Sequence, residues 1–150
     1  MKKILLYFAT LILISGITSA CSAIEEVNNS INYIEEATEY INKISTFANE
    51  APSLIEKAAT ENEALKQLDT QITEIEKEVK EFNQLTPPDF AKDIHAQILE
   101  HNQALEAAIE SYKNSIEEGT FDPKALQNSE LMNQLETISR MLDQVQNLGN

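Results

Sequence analysis

The sequence predicts an all-α protein, an antiparallel bundle of about four amphipathic helices following an N-terminal export signal. Three observations carry that expectation. Apolar residues recur at alternating steps of three and four, most cleanly at Leu65, Leu68, Ile72, Ile75, Val79 and Phe82, which keeps one helix face apolar. Strand signals are weak, because tryptophan is absent, β-branched alternation is sparse, and beyond the leader only Gly119 and Gly149 occur, each where a helix would stop. Prolines at 52, 87, 88 and 123 divide the rest of the chain into helix-length stretches.

The leader comes first in the chain. Met1-Lys2-Lys3 is followed by the apolar run Ile4 to Ile14 and by Ser15-Gly16-Ile17-Thr18-Ser19-Ala20-Cys21. A basic start, a short apolar run and a small-residue exit make a secretory signal, since a spanning helix needs about 20 apolar residues. The box Thr18-Ser19-Ala20-Cys21 resembles the one that bacterial lipidating enzymes read, although Thr18 stands where that pattern most often has leucine. The resemblance implies that the Cys21 thiol takes a diacylglyceryl group and that residues 1–20 are removed, leaving 21–150 as one lipid-anchored helical domain. Two alternatives remain at this point, an ordinary signal cut after Ala20 that leaves a free thiol, and an uncleaved anchor. The first would strand an unpaired cysteine in an oxidising compartment, because Cys21 is the only cysteine of the chain. Two acyl chains, each stabilised by about 0.8 kcal/mol per buried methylene, hold a protein at a bilayer where one chain alone does so only marginally.

Charge bounds the partners. The chain carries 11 basic and 25 acidic residues for a net charge of -14, and loss of Lys2 and Lys3 with the leader leaves 9 − 25 = −16. Such a domain is repelled by anionic headgroups, wall phosphates and nucleic acid. Cations and basic surfaces are its electrostatic partners, but acids also serve simply as a solvated face. With no disulfide to staple the fold, helix packing must stabilise it.

The elements follow in order. Ser22 with Glu25 has the spacing of a capping box, so the first helix is expected to start at the anchor. Ile24, Val27, Ile31, Ile34, Thr38 and Ile41 form its seam, and Tyr33, Tyr40 and Phe47 repeat every seven residues beside it. Ala51-Pro52 is expected to break this helix into a short turn through Ala59. Thr60 with Glu63 caps the second helix, Thr86-Pro87-Pro88-Asp89 ends it, and a third runs to about Glu118 with Gly119 as its stop. Along the third, Ile94, Ile98, Leu105, Ile109, Tyr112 and Ile116 share a stripe. Asp122-Pro123 starts the last stretch, where Leu131, Leu135, Ile138, Leu142 and Val145 predict one helix to Leu148-Gly149.

The whole chain resembles a family of small predicted lipoproteins of unknown function from spore-forming Gram-positive bacteria. The resemblance rests on Asn28-Asn29-Ser30 with Tyr33, Phe47-Ala48-Asn49-Glu50-Ala51-Pro52, Pro88-Asp89 through Asp93-Ile94-His95, and Asn128-Ser129-Glu130-Leu131. It implies location and helical architecture and supplies no catalytic residue.

Chemistry is sparse. A di-iron or di-manganese bundle uses Glu-x-x-His on two helices, yet Lys92 and Ile98 stand three before His95 and His101. A calcium loop, a phosphate-cradling glycine loop, a nucleophile elbow and a metalloprotease helix are all missing from the pattern. His101 falls at the core boundary and His95 at a flank. No cofactor, metal or catalytic residue is therefore expected. The reading is a non-enzymatic accessory or protein-interaction module on the outer face of the cytoplasmic membrane, with lipid on Cys21, an unidentified protein partner, no nucleic acid, and a homodimer through a heptad seam left open. The alternative is a carrier of a small ligand or cation, with a pocket lined by Tyr33, Tyr40, His101 and Tyr112.

Overall fold

The computed structural model describes residues 19–149, with side chains from 31 to 148. Most of the leader lies outside these residues, and so does the Cys21 side chain. Three long helices and a broken fourth leg form an all-α bundle: α1 (Ser19–Ala58), α2 (Asn62–Phe82), α3 (Lys92–Glu117), then α4 (Pro123–Gln127), α5 (Glu130–Ser139) and α6 (Leu142–Gln146). Short 3-10 turns at Asp89–Ala91 and Asn147–Gly149 complete it.

Side-chain pairs give the directions. Tyr40 stacks on Phe82 and Lys43 pairs with Glu78, so α1 and α2 run antiparallel. Asn102 bonds Asn83 and Lys113 pairs with Glu76, which makes α2 and α3 antiparallel as well. Tyr33 meets His95 and Tyr40 meets Asn102 at the same sequence offset, so α1 and α3 run parallel across the bundle diagonal. The fourth leg closes the ring against α1 and α3, as the bond between His101 and Gln134 shows for α3 and α5. This is the up-down-up-down arrangement that short connections enforce.

The core is the expected set of stripes. Ile41, Ile44, Leu68, Ile72, Val79, Ile98, Leu105, Leu135 and Ile138 are fully buried, each contributing about 1.5–3 kcal/mol of transfer free energy. The seam of α2 is buried inside the chain and so serves the intramolecular hairpin.

Four local expectations need correction. Pro52 does not break the first helix, which continues to Ala58. Ala51, Leu54, Ile55 and Ala58 are buried on that helix while Pro52 is exposed, so packing on both sides of the proline outweighs the roughly 3 kcal/mol that proline costs in a helix interior. Ser22 lies within α1, which is already helical at Ser19, so in this chain it is not the N-cap. Thr60 does not cap α2 either, because the N-cap is Glu61 and the Thr60 hydroxyl donates back to the Lys57 carbonyl. The last helix is interrupted at Arg140-Met141, where the Met141 N–H bonds the Ile138 carbonyl in a tightened turn. Thr137 and Ser139 also donate to the carbonyls four residues back, a bonding pattern that bends helices.

Two punctuation marks stand as read. Gly119 has φ +68 and ends α3, with Gly119 N–H to Ile116 and Thr120 N–H to Ser115 closing a Schellman motif. Asp122 accepts the Lys124 N–H as the cap of α4, with Pro123 at its first position.

Candidate functional site

The bundle's unusual chemistry lies in polar layers on its diagonal. Tyr33 and Tyr40 stand one heptad apart on α1, and His95 and Asn102 stand one heptad apart on α3. Because the two helices run parallel, the repeats meet in register. Tyr33 Oη lies 3.1 Å from His95 Nδ1. One heptad on, the Tyr40 hydroxyl donates to Asn102 Oδ1, whose Nδ2 donates to Asn83 Oδ1 at 2.8 Å. Asn83, the C-cap of α2, donates on to Glu106. Phe82 lies between the layers, with ring centroids 4.5 Å from Tyr40 and 5.1 Å from His95.

Burial tunes these groups. It pushes the Tyr33 phenol up to about 12 and raises Tyr40 further, although the Asn102 bond opposes that shift. His95 is 6% exposed and its imidazole is held below its ordinary range by burial. A tyrosine partner supplies no countercharge, so the buried ring is neutral. Nearby on the α2–α3 surface, Glu76 is held below the usual carboxylate range by Lys113 and then by Lys80.

The four residues expected around one pocket fall in separate places. Tyr33 and Tyr40 are core residues with their hydroxyls bonded across the bundle. His101 is half-buried, and its Nδ1 donates to Gln134 Oε1 at 2.9 Å. Tyr112 sits toward the other end of α3, edge-on to Phe121 at 5.5 Å, and its buried hydroxyl has no hydrogen-bond partner among the described residues. It borders a small pocket of ≈ 270 Å³ with Phe121, Leu126 and Ser129. The flank assignment of His95 is thus corrected, since His95 is buried, whereas His101 lies at the boundary where the stripe put it. Sequence reasoning also missed Asn83 and Asn102. A signal for Asn102 was present, because it falls between Ile98 and Leu105 on the apolar stripe and repeats His95 at the heptad step that Tyr40 repeats Tyr33.

A larger groove of ≈ 880 Å³ lies along α1 and α2 and is bordered by Glu35, Glu39, Glu50, Glu74 and Glu78, with Phe47 and Ile75 at its floor. Lys43 crosses it to reach both Glu39 and Glu78 at 3.0 Å. Among the described residues, no group of three or more His, Cys, Asp or Glu side chains is placed to hold a metal ion, and no helix is long and apolar enough to cross a membrane.

Comparison with known proteins gives a relative and a family. The chain is 40% identical over 149 residues to the uncharacterized lipoprotein YybP of Bacillus subtilis (strain 168), covering 99% of each chain. No solved structure matches. A model described as a family of unknown function (DUF6376) matches residues 33–148, from the first core tyrosine of α1 to the end of the fourth leg. The chain belongs to this family of unknown function, and its similar relative is a lipoprotein of a spore-forming Gram-positive bacterium.

Proposed function

We propose that the protein is a lipoprotein held through acylated Cys21 on the outer face of the cytoplasmic membrane, where its helical bundle acts as a non-enzymatic interaction module. In this reading residues 1–20 are a signal peptide that is removed, and 21–150 are the working domain. The observation that carries it is the placement of Cys21 at the head of α1, after a basic and apolar leader and before a continuous helix leading into the bundle. The lipoprotein relative, matched along nearly its whole length, supports the same anchor. The core supports the non-enzymatic part, since Tyr33, His95, Tyr40, Asn102 and Asn83 bond one another and leave their chemistry within the fold. Replacing Cys21 by alanine is expected to move the protein from the membrane fraction to the medium. Membrane retention unchanged by Cys21→Ala contradicts the anchor. A cross-linking pulldown of the anchored protein from intact cells tests the module, and capture of nothing but unlinked monomer contradicts it.

A second reading, a small-ligand carrier, draws on one observation. Tyr112 Oη and Ser129 Oγ are buried without partners among the described residues, beside the ≈ 270 Å³ pocket, and buried polar groups are ordinarily satisfied. A carrier predicts that some small molecule raises the melting temperature by several degrees and that Tyr112→Phe abolishes the rise. A flat thermal-shift screen removes this reading.

A further inference from the structure

The groove along α1 and α2 lies outside the polar layers of the core and combines three features. Its ≈ 880 Å³ runs beside α1 from Glu35 to Glu50, a helical advance of about 22 Å at about 1.5 Å per residue. Its floor is apolar, formed by Phe47 and Ile75, whereas five glutamates and two lysines stand among its lining residues. On one wall Gln71 is half-buried, and its Oε1 has no hydrogen-bond partner among the described residues, an unmet acceptor of the kind that folded proteins ordinarily satisfy.

The lysines do not cancel the acids. Lys77 pairs with Glu81, whose carboxylate stands outside the lining, so Lys43 is the lining cation that spans the groove. Its Nζ reaches Glu39 and Glu78 at 3.0 Å with the side chain 44% exposed, and exposed pairs of this kind hold weakly. An incoming cation can take over both carboxylates while Lys43 swings into solvent.

Resting on the interaction-module reading and deepening it, we propose that this groove is the docking surface, and that its occupant is an amphipathic helix of a partner protein with one apolar stripe flanked by lysine or arginine. Charge complementarity selects the flanks, because glutamates dominate the rim and opposite charges steer and orient a partner there. Length and floor select a helix, since about 22 Å is about four helical turns and an apolar cleft between helices holds the apolar face of another. The same rim repels an anionic bilayer and nucleic acid. A second copy of this chain, itself of net charge -14, also meets it with like charge.

The test uses the full-length protein in non-ionic detergent and a labelled helical peptide of about 15 residues, long enough to span about 22 Å, with leucine along one stripe and lysine on both flanks. Fluorescence anisotropy should show saturable binding that weakens as salt is raised. Glu35→Lys combined with Glu74→Lys, both at exposed rim positions, should weaken binding at least tenfold. The same reversal at Glu117 and Glu118, exposed at the end of α3, should weaken it less than twofold. Lys43→Gln should tighten binding, because it removes the competing cation. Equal weakening by both pairs of reversals overturns the docking groove, as does equal binding of a peptide of the same composition with its leucines scattered around the helix, because either result reduces the contact to general charge attraction. Absence of saturable binding overturns it too. The groove and the module fail differently. A cross-linking pulldown from intact cells that captures a partner equally with wild type and with Glu35→Lys/Glu74→Lys overturns the groove and leaves the module standing, whereas capture of nothing overturns the module and the groove with it.

Discussion

At the scale of single residues, the fold depends on polar groups that satisfy one another in an otherwise apolar core. Tyr40 and Asn102 are both almost fully buried, so removing the phenol oxygen orphans the Asn102 carbonyl. Tyr40→Phe is expected to destabilise the bundle by about 1–3 kcal/mol, read as a lower urea midpoint of the detergent-solubilised full-length protein. His95 makes the bundle sensitive to acid. Its folded pKa is depressed by burial, whereas the unfolded chain has the ordinary value of about 6.5. Above that value both states are neutral at His95 and its contribution is fully present. As pH falls below it the unfolded chain takes the proton first, and stability drops until the folded pKa is passed. The urea midpoint should therefore decline from pH 7 toward pH 5, and His95→Gln should flatten that decline. An unchanged slope in the variant would place the acid sensitivity elsewhere. The sequence put His101 rather than His95 near the core because stripe positions were judged one helix at a time. Which histidine is buried depends on the rotation of α3 against α1, a property of the pair.

At the scale of elements, helices were legible wherever the apolar period was long and the end chemistry local. Gly119 was readable because a left-handed C-cap is a property of its own backbone, and its φ of +68 bears this out. No atom lies within 4 Å of a Cβ built there, so Gly119→Ala should cost only the conformational strain, about 1–2 kcal/mol. Pro52 misled for a physical reason, since a proline's local penalty is fixed while the gain from burying Leu54, Ile55 and Ala58 beyond it depends on partners the local sequence does not show. Replacing Pro52 by alanine restores a donor within an exposed stretch of helix and is expected to stabilise the protein by up to about 3 kcal/mol. A lower thermal midpoint for Pro52→Ala would mean that the proline fixes the line of α1. The break between α5 and α6 left less trace, because Thr137 and Ser139 are as common on helix surfaces as at bends.

At the scale of the whole molecule, bundle and anchor are coupled through α1. The sequence starts the first helix at the anchor. The structure carries α1 without a break from Ser19 to Ala58, so in the proposed lipoprotein a continuous helix ties a domain of net charge −16 (9 basic minus 25 acidic residues after loss of the leader) to its anchor. The proposed anchor rests on the leader, because signal recognition depends on local composition. The polar layers were not legible in the sequence, because they arise where α1, α2 and α3 meet. Anchorage at Cys21 is the central claim, and intact-mass and peptide analysis of the protein purified from its membranes tests it most directly. The mature chain should begin at Cys21, and its first peptide should carry a diacylglyceryl group on the thiol. A first peptide with a free Cys21 thiol, or one still joined to Ala20, would contradict it.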